Sequence, residues 1–339
     1  MGNARDDDTM PGPCPYRGPL DRPGPGVVSY PGHVKNWVEQ SGLDRVEDHR
    51  RNDAWVARLW EREDALLLKM DSEGRFSTDP SGSELRLVRP HVEFNPQLHY
   101  LLGLVEGQPV FAAETLVDDS PVHTAREVGA RLSAVERDLV FMARALTNWH
   151  RLEPRCPSCG GETEVLRGGV LRHCAQCGRD SWPRTDPAVI VAVVNPNDDI
   201  LLAHQRGWAA GRVSLIAGFV EAGESLEQAI HREILEETDI EVAQVRYVGS
   251  QPWPFPRSLM MGFTARAVTT DITADDHELA WVQWYSRDRV RAEAAAGRLV
   301  LPGKASLAHR LIKAWLDGRI TCPLPVRPVP LETVPVQPR

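Results

Sequence analysis

Three glutamates are grouped within one short segment of this sequence. Glu233 and Glu237 lie four residues apart and Glu236 lies three residues from Glu233, so a helix would place their carboxylates on one side. Like charges at this spacing destabilise a helix unless a cation lies among them. Carboxylate oxygens suit hard divalent cations such as Mg²⁺, which also bind phosphates. The spacing therefore predicts a metal site, with a solvated acidic face as the alternative interpretation.

Four cysteines form a second group. Cys156 and Cys159 are separated by two residues, as are Cys174 and Cys177, and a glycine follows each pair. This spacing lets two tight turns direct four thiolates at one tetrahedral ion. It predicts a zinc ribbon with one structural zinc per chain, and the alternative is a set of unligated or redox-active cysteines. Four protein ligands leave no position for water, so this zinc is not expected to be catalytic.

Aromatic rings stand in a proline-rich segment, Gln251 to Ser258, that reads Gln-Pro-Trp-Pro-Phe-Pro-Arg-Ser. The prolines restrict its backbone, and Trp253 and Phe255 offer flat faces for a base or a nicotinamide ring. By composition alone, a hydrophobic loop packed in a core is the alternative.

A helix is expected to carry the three glutamates. Ser225 followed three residues later by Gln228 is a capping-box pattern, which marks the start of a helix. Apolar residues then recur at the spacing of one buried face, at Leu226, Ile230 and Ile234. The pattern predicts a helix over residues 225–238 with the glutamates on a different face.

Strand-like runs surround this helix. In the second half of the chain they cover residues 188–194, 200–205, 213–220, 259–268 and 279–286, with a further helix over 306–315. The first half has shorter runs over 84–89, 100–105 and 110–114, and it ends in a helix over 133–151. These elements predict an α+β protein with a mixed sheet in its second half.

Composition divides the chain further, because 13 of its 27 prolines lie in the two ends. Cys14 and Cys322 lie in these ends and are excluded from any site. We predict a disordered Pro/Gly-rich tail over 1–35, an N-terminal α+β domain over 36–151, the ribbon over 152–182, a second domain over 183–318, and a Pro-rich tail over 319–339.

Charge and hydropathy exclude several classes of protein. The 339 residues carry a formal charge of −8, which argues against broad neutralisation of duplex DNA. No apolar run approaches the roughly 18 residues of a membrane span, and the first residues lack the features of a secretory signal. We therefore expect a cytoplasmic protein without a membrane partner. No Gly-x-Gly-x-x-Gly follows a strand, which disfavours a Rossmann dehydrogenase.

The glutamate helix belongs to a longer pattern. The spacing Gly218-x5-Glu224-x7-Arg232-Glu233-Ile234-x-Glu236-Glu237 resembles the Nudix box, the signature of hydrolases that cleave a nucleoside diphosphate linked to another moiety. Asp239 stands where the box usually has Gly. That Gly closes the helix in the left-handed conformation, which Asp tolerates better than most residues. The resemblance implies a Nudix α/β/α sandwich with a mixed sheet, preceded by the zinc ribbon and the N-terminal domain.

The resemblance also implies roles for individual residues. Catalysis would involve Glu233, Glu236, Glu237 and Arg232, with Arg232 holding the glutamates by charge-assisted hydrogen bonds. The ligands of Mg²⁺ or Mn²⁺ would be the carboxylates of Glu233, Glu236, Glu237 and Glu278 and the backbone carbonyl of Ala217. These ions would neutralise pyrophosphate oxygens and activate a water.

The proline-rich segment, with the preceding Ser250, is similar to the motif of the NADH pyrophosphatase branch of Nudix enzymes, and this resemblance extends over residues 36–318. Trp182 stands where the branch commonly has Tyr. The branch forms homodimers in which the Trp of the segment can reach across. The implied substrate contacts are Trp182, Phe219, Gln251, Pro252, Trp253, Pro254, Phe255, Pro256, Arg257, Ser258 and Ala308.

The implied reaction is hydrolysis of NADH or NAD⁺ to AMP and nicotinamide mononucleotide, and enzymes of this branch also remove NAD caps from RNA 5′ ends. Two alternatives remain open at this point. One is a Nudix hydrolase of ADP-ribose or dinucleoside polyphosphates. The other is a non-catalytic regulator that binds nucleic acid through the zinc ribbon.

Overall fold

In a computed structural model, the chain is described over residues 41–117, 121–274 and 277–320. All of these residues belong to one compact unit, Val34–Arg339. The two tails predicted over 1–35 and 319–339 lie outside the described residues, apart from residues 319 and 320.

The N-terminal part is built on a four-stranded sheet with the order β1-β4-β5-β2. Helix α3 packs on one face of this sheet and α1 on the other, each over its own apolar core. The strands are β1 (Leu43–Asp44), β2 (Leu66–Met70), β3 (Arg75–Ser77), β4 (His99–Val105), β5 (Gln108–Glu114) and β6 (Val122–Thr124). The helices are α1 (Asp53–Trp60), α2 (Ala125–Val128) and α3 (Ala134–Leu152).

The cysteine-rich insertion forms a small antiparallel sheet of its own. Its strands are β7 (Glu164–Leu166), β8 (Leu171–His173) and β9 (Asp180–Ser181), in that order across the sheet. Both cysteine pairs lie in tight turns outside these strands. The ribbon is therefore a separate layer, docked against the N-terminal sheet through the segment between β7 and β8, where Gly168 approaches Leu101.

The C-terminal part is a mixed six-stranded sheet in which β13, β14, β10, β11 and β15 follow one another and β12 pairs with β10. Strands β10 and β14 are parallel, and the other pairs are antiparallel. The strands are β10 (Asp186–Val194), β11 (Ile200–Gln205), β12 (Ile216–Phe219), β13 (Val242–Trp253), β14 (Ser258–Ala267) and β15 (Leu279–Tyr285). The helices are α4 (Leu226–Thr238), α5 (Arg287–Ala295) and α6 (Leu307–Leu316).

This sheet separates two apolar cores. Helix α4 packs over one face of the sheet, whereas α5 and α6 pack over the other. The alternation of strand side chains explains the arrangement, since Val189, Val191 and Val193 face α4 while the residues between them face α6. The predicted α/β/α sandwich with a mixed sheet is thereby confirmed.

Several predicted elements differ in detail. The strand expected over 84–89 is wrong, because Leu85 and Val88 form only isolated bridges. Pro90 follows at once and cannot donate to a ladder, so the run cannot extend into a strand. Strand β13 and helix α5 have no counterpart among the predicted elements. No helix of the described residues is long and apolar enough to cross a membrane.

Candidate active site

Helix α4 has the ends that its sequence predicts. Ser225 is the N-cap residue, and its hydroxyl accepts a hydrogen bond from the Gln228 backbone amide while the Gln228 side chain accepts from the Ser225 amide. At the other end Asp239 adopts the left-handed conformation, with φ of 59°. Both the capping box and the left-handed C-cap are therefore confirmed.

The two faces of α4 have different roles. Ile230 and Ile234 are fully buried in the core beneath the helix. On another face, the side chain of Glu233 is 14% exposed and that of Glu236 is 61% exposed, while Glu237 is buried. The exposure of the three carboxylates thus increases from Glu237 through Glu233 to Glu236.

Arg232 connects these carboxylates. Its guanidinium donates two hydrogen bonds of 2.8 Å to the carboxylate of Glu224, one of 2.8 Å to Glu233 and one of 3.2 Å to Glu236. A further bond of 2.9 Å goes to the backbone carbonyl of Phe219. Because one planar cation serves three carboxylates and a carbonyl, it orients the loop before α4 together with the helix itself.

Charge in this cluster shifts the acidities of its members. Hydrogen bonds from Arg232 lower the pKa of Glu224 to about 2, and the carboxylates raise the pKa of Arg232. Glu233 differs, because burial raises its pKa, and the nearby charges of Glu236 and Glu278 oppose the lowering effect of Arg232. The charges of Glu236 and Glu278 thus repel that of Glu233, and a cation among them would relieve this repulsion.

Gly218 is the residue that lets Glu233 approach the sheet. A Cβ atom built at Gly218 would lie 1.9 Å from the carboxyl carbon of Glu233, which is far inside contact distance. The carboxylate therefore lies directly against the backbone of β12, one residue from the carbonyl of Ala217. Hard oxygen donors crowded onto bare backbone fit a small divalent cation.

The carboxylates are nevertheless more widely spaced than the thiols. Among the described residues, only the four cysteines have ligand atoms that all lie within 4.8 Å of one another. Arg232 occupies the space between the carboxylates of Glu233 and Glu236, since one of its nitrogens bonds both. Glu278 lies just before β15 and is exposed.

A cavity of about 360 Å³ opens on the α6 side of β12. Ala217 lines it, and so do Gln251, Trp253 and Ala308 from the predicted substrate contacts. Gln251 is buried, and its amide donates a 2.6 Å hydrogen bond to the carbonyl of Ala305, while its own side-chain oxygen has no hydrogen-bond partner among the described residues. A buried acceptor without a donor at a cavity wall fits a ligand that donates a hydrogen bond there.

The proline-rich segment is a β-hairpin rather than a loop. Its first residues end β13, Ser258 begins β14, and Pro254, Phe255, Pro256 and Arg257 form the tip. Arg257 is held by carboxylates at both sides, at 2.7 Å from Glu153 and 2.8 Å from Asp186. The hairpin is therefore tied both to α3 and to its own sheet.

The two rings of the hairpin lie in different surroundings. Trp253 lines the cavity, whereas Phe255 packs against the N-terminal core and meets Phe141 edge to face, with ring centres 6.4 Å apart. The guanidinium of Arg126 lies 5.6 Å from the centre of the Trp253 ring and 4.5 Å from that of Phe255. Phe255 thus supports the hairpin, and Trp253 is the ring with a face on the cavity.

Most of the predicted substrate contacts lie apart from this cavity, which is lined by Gln251, Trp253 and Ala308 of that set. Trp182 and Phe219 are 52% and 56% exposed, and neither lines the cavity in this chain. Pro252, Pro254, Pro256, Arg257 and Ser258 line a smaller apolar cavity of about 160 Å³ on the α3 side of the hairpin. The structure thus gathers only part of the predicted substrate set around the main cavity.

The cysteine cluster has the shape of a tetrahedral site. The sulfur atoms of Cys156 and Cys177 are 3.6 Å apart, as are those of Cys159 and Cys174. Ligands at the ~2.3 Å zinc–sulfur distance would be separated by ~3.8 Å in a tetrahedron. Backbone amides of Ser158 and Cys159 lower the pKa of Cys156 to about 6, which favours the thiolate that zinc requires. The four residues can therefore hold a zinc ion.

Three contributors were missed by sequence reasoning. Glu224 is the main partner of Arg232, and its position in the Nudix box could have identified it as a site residue. Arg126, far away in sequence, and Arg212, which also lines the cavity, had no such signal. Only the packing of the N-terminal part against the hairpin brings Arg126 to the site.

Comparison with known proteins agrees with this architecture. The family model of the NUDIX domain matches residues 184–302. A protein named NAD-capped RNA hydrolase NudC from Mycobacterium bovis is 37% identical over 295 residues, which cover 82% of this chain and 94% of that protein. The protein of the same name from Mycobacterium tuberculosis has the same identity and coverage.

A human relative named NAD-capped RNA hydrolase NUDT12 is 36% identical over 198 residues, which cover 55% of this chain and 43% of that protein. The mycobacterial matches include the N-terminal part and the ribbon as well as the C-terminal sandwich, because they span most of both chains. The chain therefore belongs to the Nudix hydrolase superfamily, within its NADH pyrophosphatase and NAD-capped RNA hydrolase family.

Proposed function

We propose that this protein hydrolyses the pyrophosphate bond of NADH or NAD⁺ to AMP and nicotinamide mononucleotide, and that it removes NAD caps from RNA 5′ ends. One observation carries the proposal most directly. Gly218 lies against the Glu233 carboxylate, and the adjacent Ala217 lines the cavity that Trp253 also lines. A candidate cation-binding cluster on the α4 side and a ring-binding cavity on the α6 side thus adjoin two consecutive residues of β12.

The carboxylate cluster would hold the catalytic ions. We assign Mg²⁺ or Mn²⁺ to Glu233, Glu236, Glu237 and Glu278 with the carbonyl of Ala217. When bound, such ions neutralise pyrophosphate oxygens and lower the pKa of a water. Arg232 keeps Glu233 and Glu236 oriented through its hydrogen bonds, and Gly218 leaves the space in which the Glu233 carboxylate lies. These contacts support pre-organisation of the cluster before substrate binds.

The cavity would hold one half of the dinucleotide. Its volume of about 360 Å³ lies within the range of roughly 300–1,000 Å³ for small-molecule sites. Trp253 offers a ring face for stacking, and the free oxygen of Gln251 can accept a hydrogen bond from an amide or a hydroxyl. Arg126 also lines the cavity and can offer positive charge to the phosphates.

We propose a homodimer that works in the cytoplasm. Trp182 and Phe219 expose large rings outside the cavity, although the family resemblance implies that both contact substrate. In a dimer these rings could complete the site of the neighbouring subunit. Light scattering on the purified chain should then give twice the mass of 37.8 kDa.

The zinc is proposed to be structural, with one ion per chain. The four cysteines lie in the ribbon and line neither cavity. Four thiolates would complete the coordination of the ion, so no position remains for substrate or water.

The decisive experiment measures kcat/KM for NADH, NAD⁺, ADP-ribose and NAD-capped RNA with Mg²⁺ or Mn²⁺ present. Wild-type protein should prefer NAD-linked substrates and release AMP from the two dinucleotides. Glu237→Gln should lower all NAD-linked activities by about 10³-fold, because a metal ligand is worth several kcal/mol in such reactions.

Glu227→Gln is the matched control, since Glu227 is an exposed glutamate in the first turn of the same helix. Near-normal turnover by Glu237→Gln would remove its assigned role. A preference for ADP-ribose would favour the alternative Nudix substrate class. Absence of hydrolysis together with RNA binding would favour the non-catalytic regulator.

A further inference from the structure

A row of aromatic side chains begins at the wall of the main cavity and continues across the neighbouring strands. Trp208 lines the cavity, and its ring meets His204 edge to face with ring centres 6.2 Å apart. His204 in turn stacks on Trp281, at 5.5 Å and an interplanar angle of 14°. All three side chains are half-buried, so part of each ring is open to solvent.

Sheet register and loop geometry build this row. His204 of β11 lies directly opposite Trp281 of β15, which places the two rings side by side on one face. The loop that follows β11 turns at Gly207 and Gly211, whose φ values of 82° and 76° are left-handed. The His204 ring is fixed further because its Nδ1 donates a 2.6 Å hydrogen bond to the carbonyl of Arg212.

Positive charge accompanies the rings. The guanidinium of Arg212 lies 4.8 Å from the centre of the Trp208 ring, and Arg126 lines the same cavity. Burial and the nearby charge of Arg212 lower the pKa of Arg126. Within the described ranges, neither arginine forms an ion pair with a carboxylate. Two unpaired guanidinium groups beside a cavity favour an anionic ligand.

Partly exposed aromatic rings next to arginines without an ion pair are features by which proteins bind single-stranded nucleic acid. A free dinucleotide ends at its adenosine, whereas NAD-capped RNA continues from that adenosine into a polynucleotide. The row begins at the cavity that Ala217 also lines, so it lies where the polynucleotide of a bound capped RNA can extend.

We propose that Trp208, His204 and Trp281, together with Arg212, bind the first unpaired nucleotides of the RNA chain that follows the NAD cap. Bases would stack on the rings, and Arg212 would contact a phosphate. This assignment rests on the proposed function and adds to it a surface that distinguishes capped RNA from free NAD⁺.

The test compares kcat/KM of the full-length protein for NAD⁺ and for a single-stranded NAD-capped 10-mer RNA. Trp208→Ala, Trp281→Leu and Arg212→Gln should each lower the value for capped RNA by about 10-fold, since stacking on one base is worth roughly 1–3 kcal/mol. The value for NAD⁺ should stay unchanged in Trp281→Leu, because Trp281 does not line the cavity, whereas Trp208→Ala and Arg212→Gln should lower it by less than they lower the value for capped RNA. Trp281→Leu keeps an apolar side chain against the core, and Arg212 is exposed, so neither variant depends on a loss of folding.

Arg291→Gln on helix α5 is the control for loss of a surface arginine. Equal losses on both substrates would overturn the proposal, because the row would then belong to the NAD site. Unchanged cleavage of both substrates by all three variants would overturn it as well.

Binding of the uncapped 10-mer with a 5′-monophosphate, measured by fluorescence anisotropy, separates this proposal from the proposed function. If wild-type protein cleaves no NAD-linked substrate, the proposed function fails. Weaker RNA binding by Trp208→Ala would still support the proposal that the aromatic row binds RNA. Arg212→Gln should also reduce the salt dependence of binding by about 0.7 in log–log slope, the value for one phosphate contact on a single strand. Unchanged affinity in both variants would contradict the proposal.

Discussion

A carboxylate can lie against the backbone of β12 only because residue 218 is a glycine. The Glu233 carboxyl group fills the volume that any Cβ at this position would take. The same carboxylate is bonded by Arg232, which is bonded in turn by Glu224. At the scale of single residues, the candidate metal site therefore depends on the absence of a side chain at Gly218 and on the guanidinium of Arg232, which several carboxylates share.

Replacement of Gly218 by Ala should displace Glu233 from its position. A Cβ at 1.9 Å from the carboxyl carbon cannot be accommodated without movement of that side chain, so we expect kcat/KM for NADH to fall by about 100-fold or more. The double variant Gly218→Ala/Glu233→Gln is the control. If the first change acts through Glu233, the double variant should be little worse than Glu233→Gln alone, whereas additive losses would contradict this explanation.

The contact between Arg232 and Glu224 predicts a pH dependence of stability. Glu224 has its pKa lowered from an ordinary value of 4.5 to about 2, so its contribution is complete above pH 4.5 and is lost as the pH falls towards 2. Glu224→Gln should therefore lower the free energy of unfolding at pH 7, and its difference from wild type should shrink between pH 4.5 and 2. Urea unfolding at several pH values measures this difference. A constant difference would contradict the prediction, and Glu227→Gln should show none.

Helix α3 is the element that connects the three parts of the described chain. Its apolar face packs on the N-terminal sheet, Asn148 donates a 3.2 Å hydrogen bond to the carbonyl of Pro256 in the hairpin, and His150 lies against the ribbon. Burial lowers the pKa of His150 to about 4, so its ring is neutral at pH 7. The ring then donates to the carbonyl of Gly169 and accepts from Arg172. The position of the ribbon is thus specified by buried hydrogen bonds.

Loss of zinc should consequently affect more than the ribbon. Cys159→Ser removes one of four ligands, and we expect release of the ion and a loss of about 2 kcal/mol or more in the free energy of unfolding, because zinc binding contributes directly to folding. Metal analysis and thermal unfolding of the two proteins measure these effects. Ser158→Ala is the matched control, since it keeps the backbone amide that supports Cys156. Wild-type protein without zinc would refute the prediction.

At the scale of the whole molecule, the main cavity belongs to two parts of the chain. The C-terminal sandwich supplies Ala217, Gln251 and Trp253, while Arg126 comes from helix α2 of the N-terminal part. Neither part has the complete wall. The sequence of the N-terminal part shows no cluster of catalytic residue types. This part contributes to the site because it places Arg126 at the cavity wall.

Removal of Arg126 tests this contribution. Arg126→Ala loses a cation over the two hairpin rings, an interaction of roughly 0.5–2 kcal/mol, and we expect kcat/KM for NADH to fall about 10-fold without loss of zinc. Steady-state kinetics and metal content are measured together. Arg131→Ala, at an exposed position of the same region, should leave both unchanged. An equal effect of the two variants would show that general surface charge is responsible.

Much of the fold and part of the candidate site could be predicted from local patterns. The capping box, the left-handed Asp239 and the paired cysteines depend on residues within a few positions of one another, so their physics is present in the linear chain. Strand β13 was not predicted because Pro252 and two shifts in its pairing register with β14 interrupt the alternation of its side chains. The domain boundaries and the individual roles of the glutamates remain predictions.

The sequence by itself determined the candidate residues for the chemistry, because box spacing, cysteine spacing and the hairpin motif are properties of neighbouring residues. Only the tertiary structure decided what surrounds them. It brought Arg126 onto the hairpin, turned Phe255 into the N-terminal core and left Trp253 on the cavity. It also aligned Trp208, His204 and Trp281, which no local pattern connects. Such contacts arise from the packing of elements far apart in the chain, and their energies depend on neighbours that local spacing does not specify.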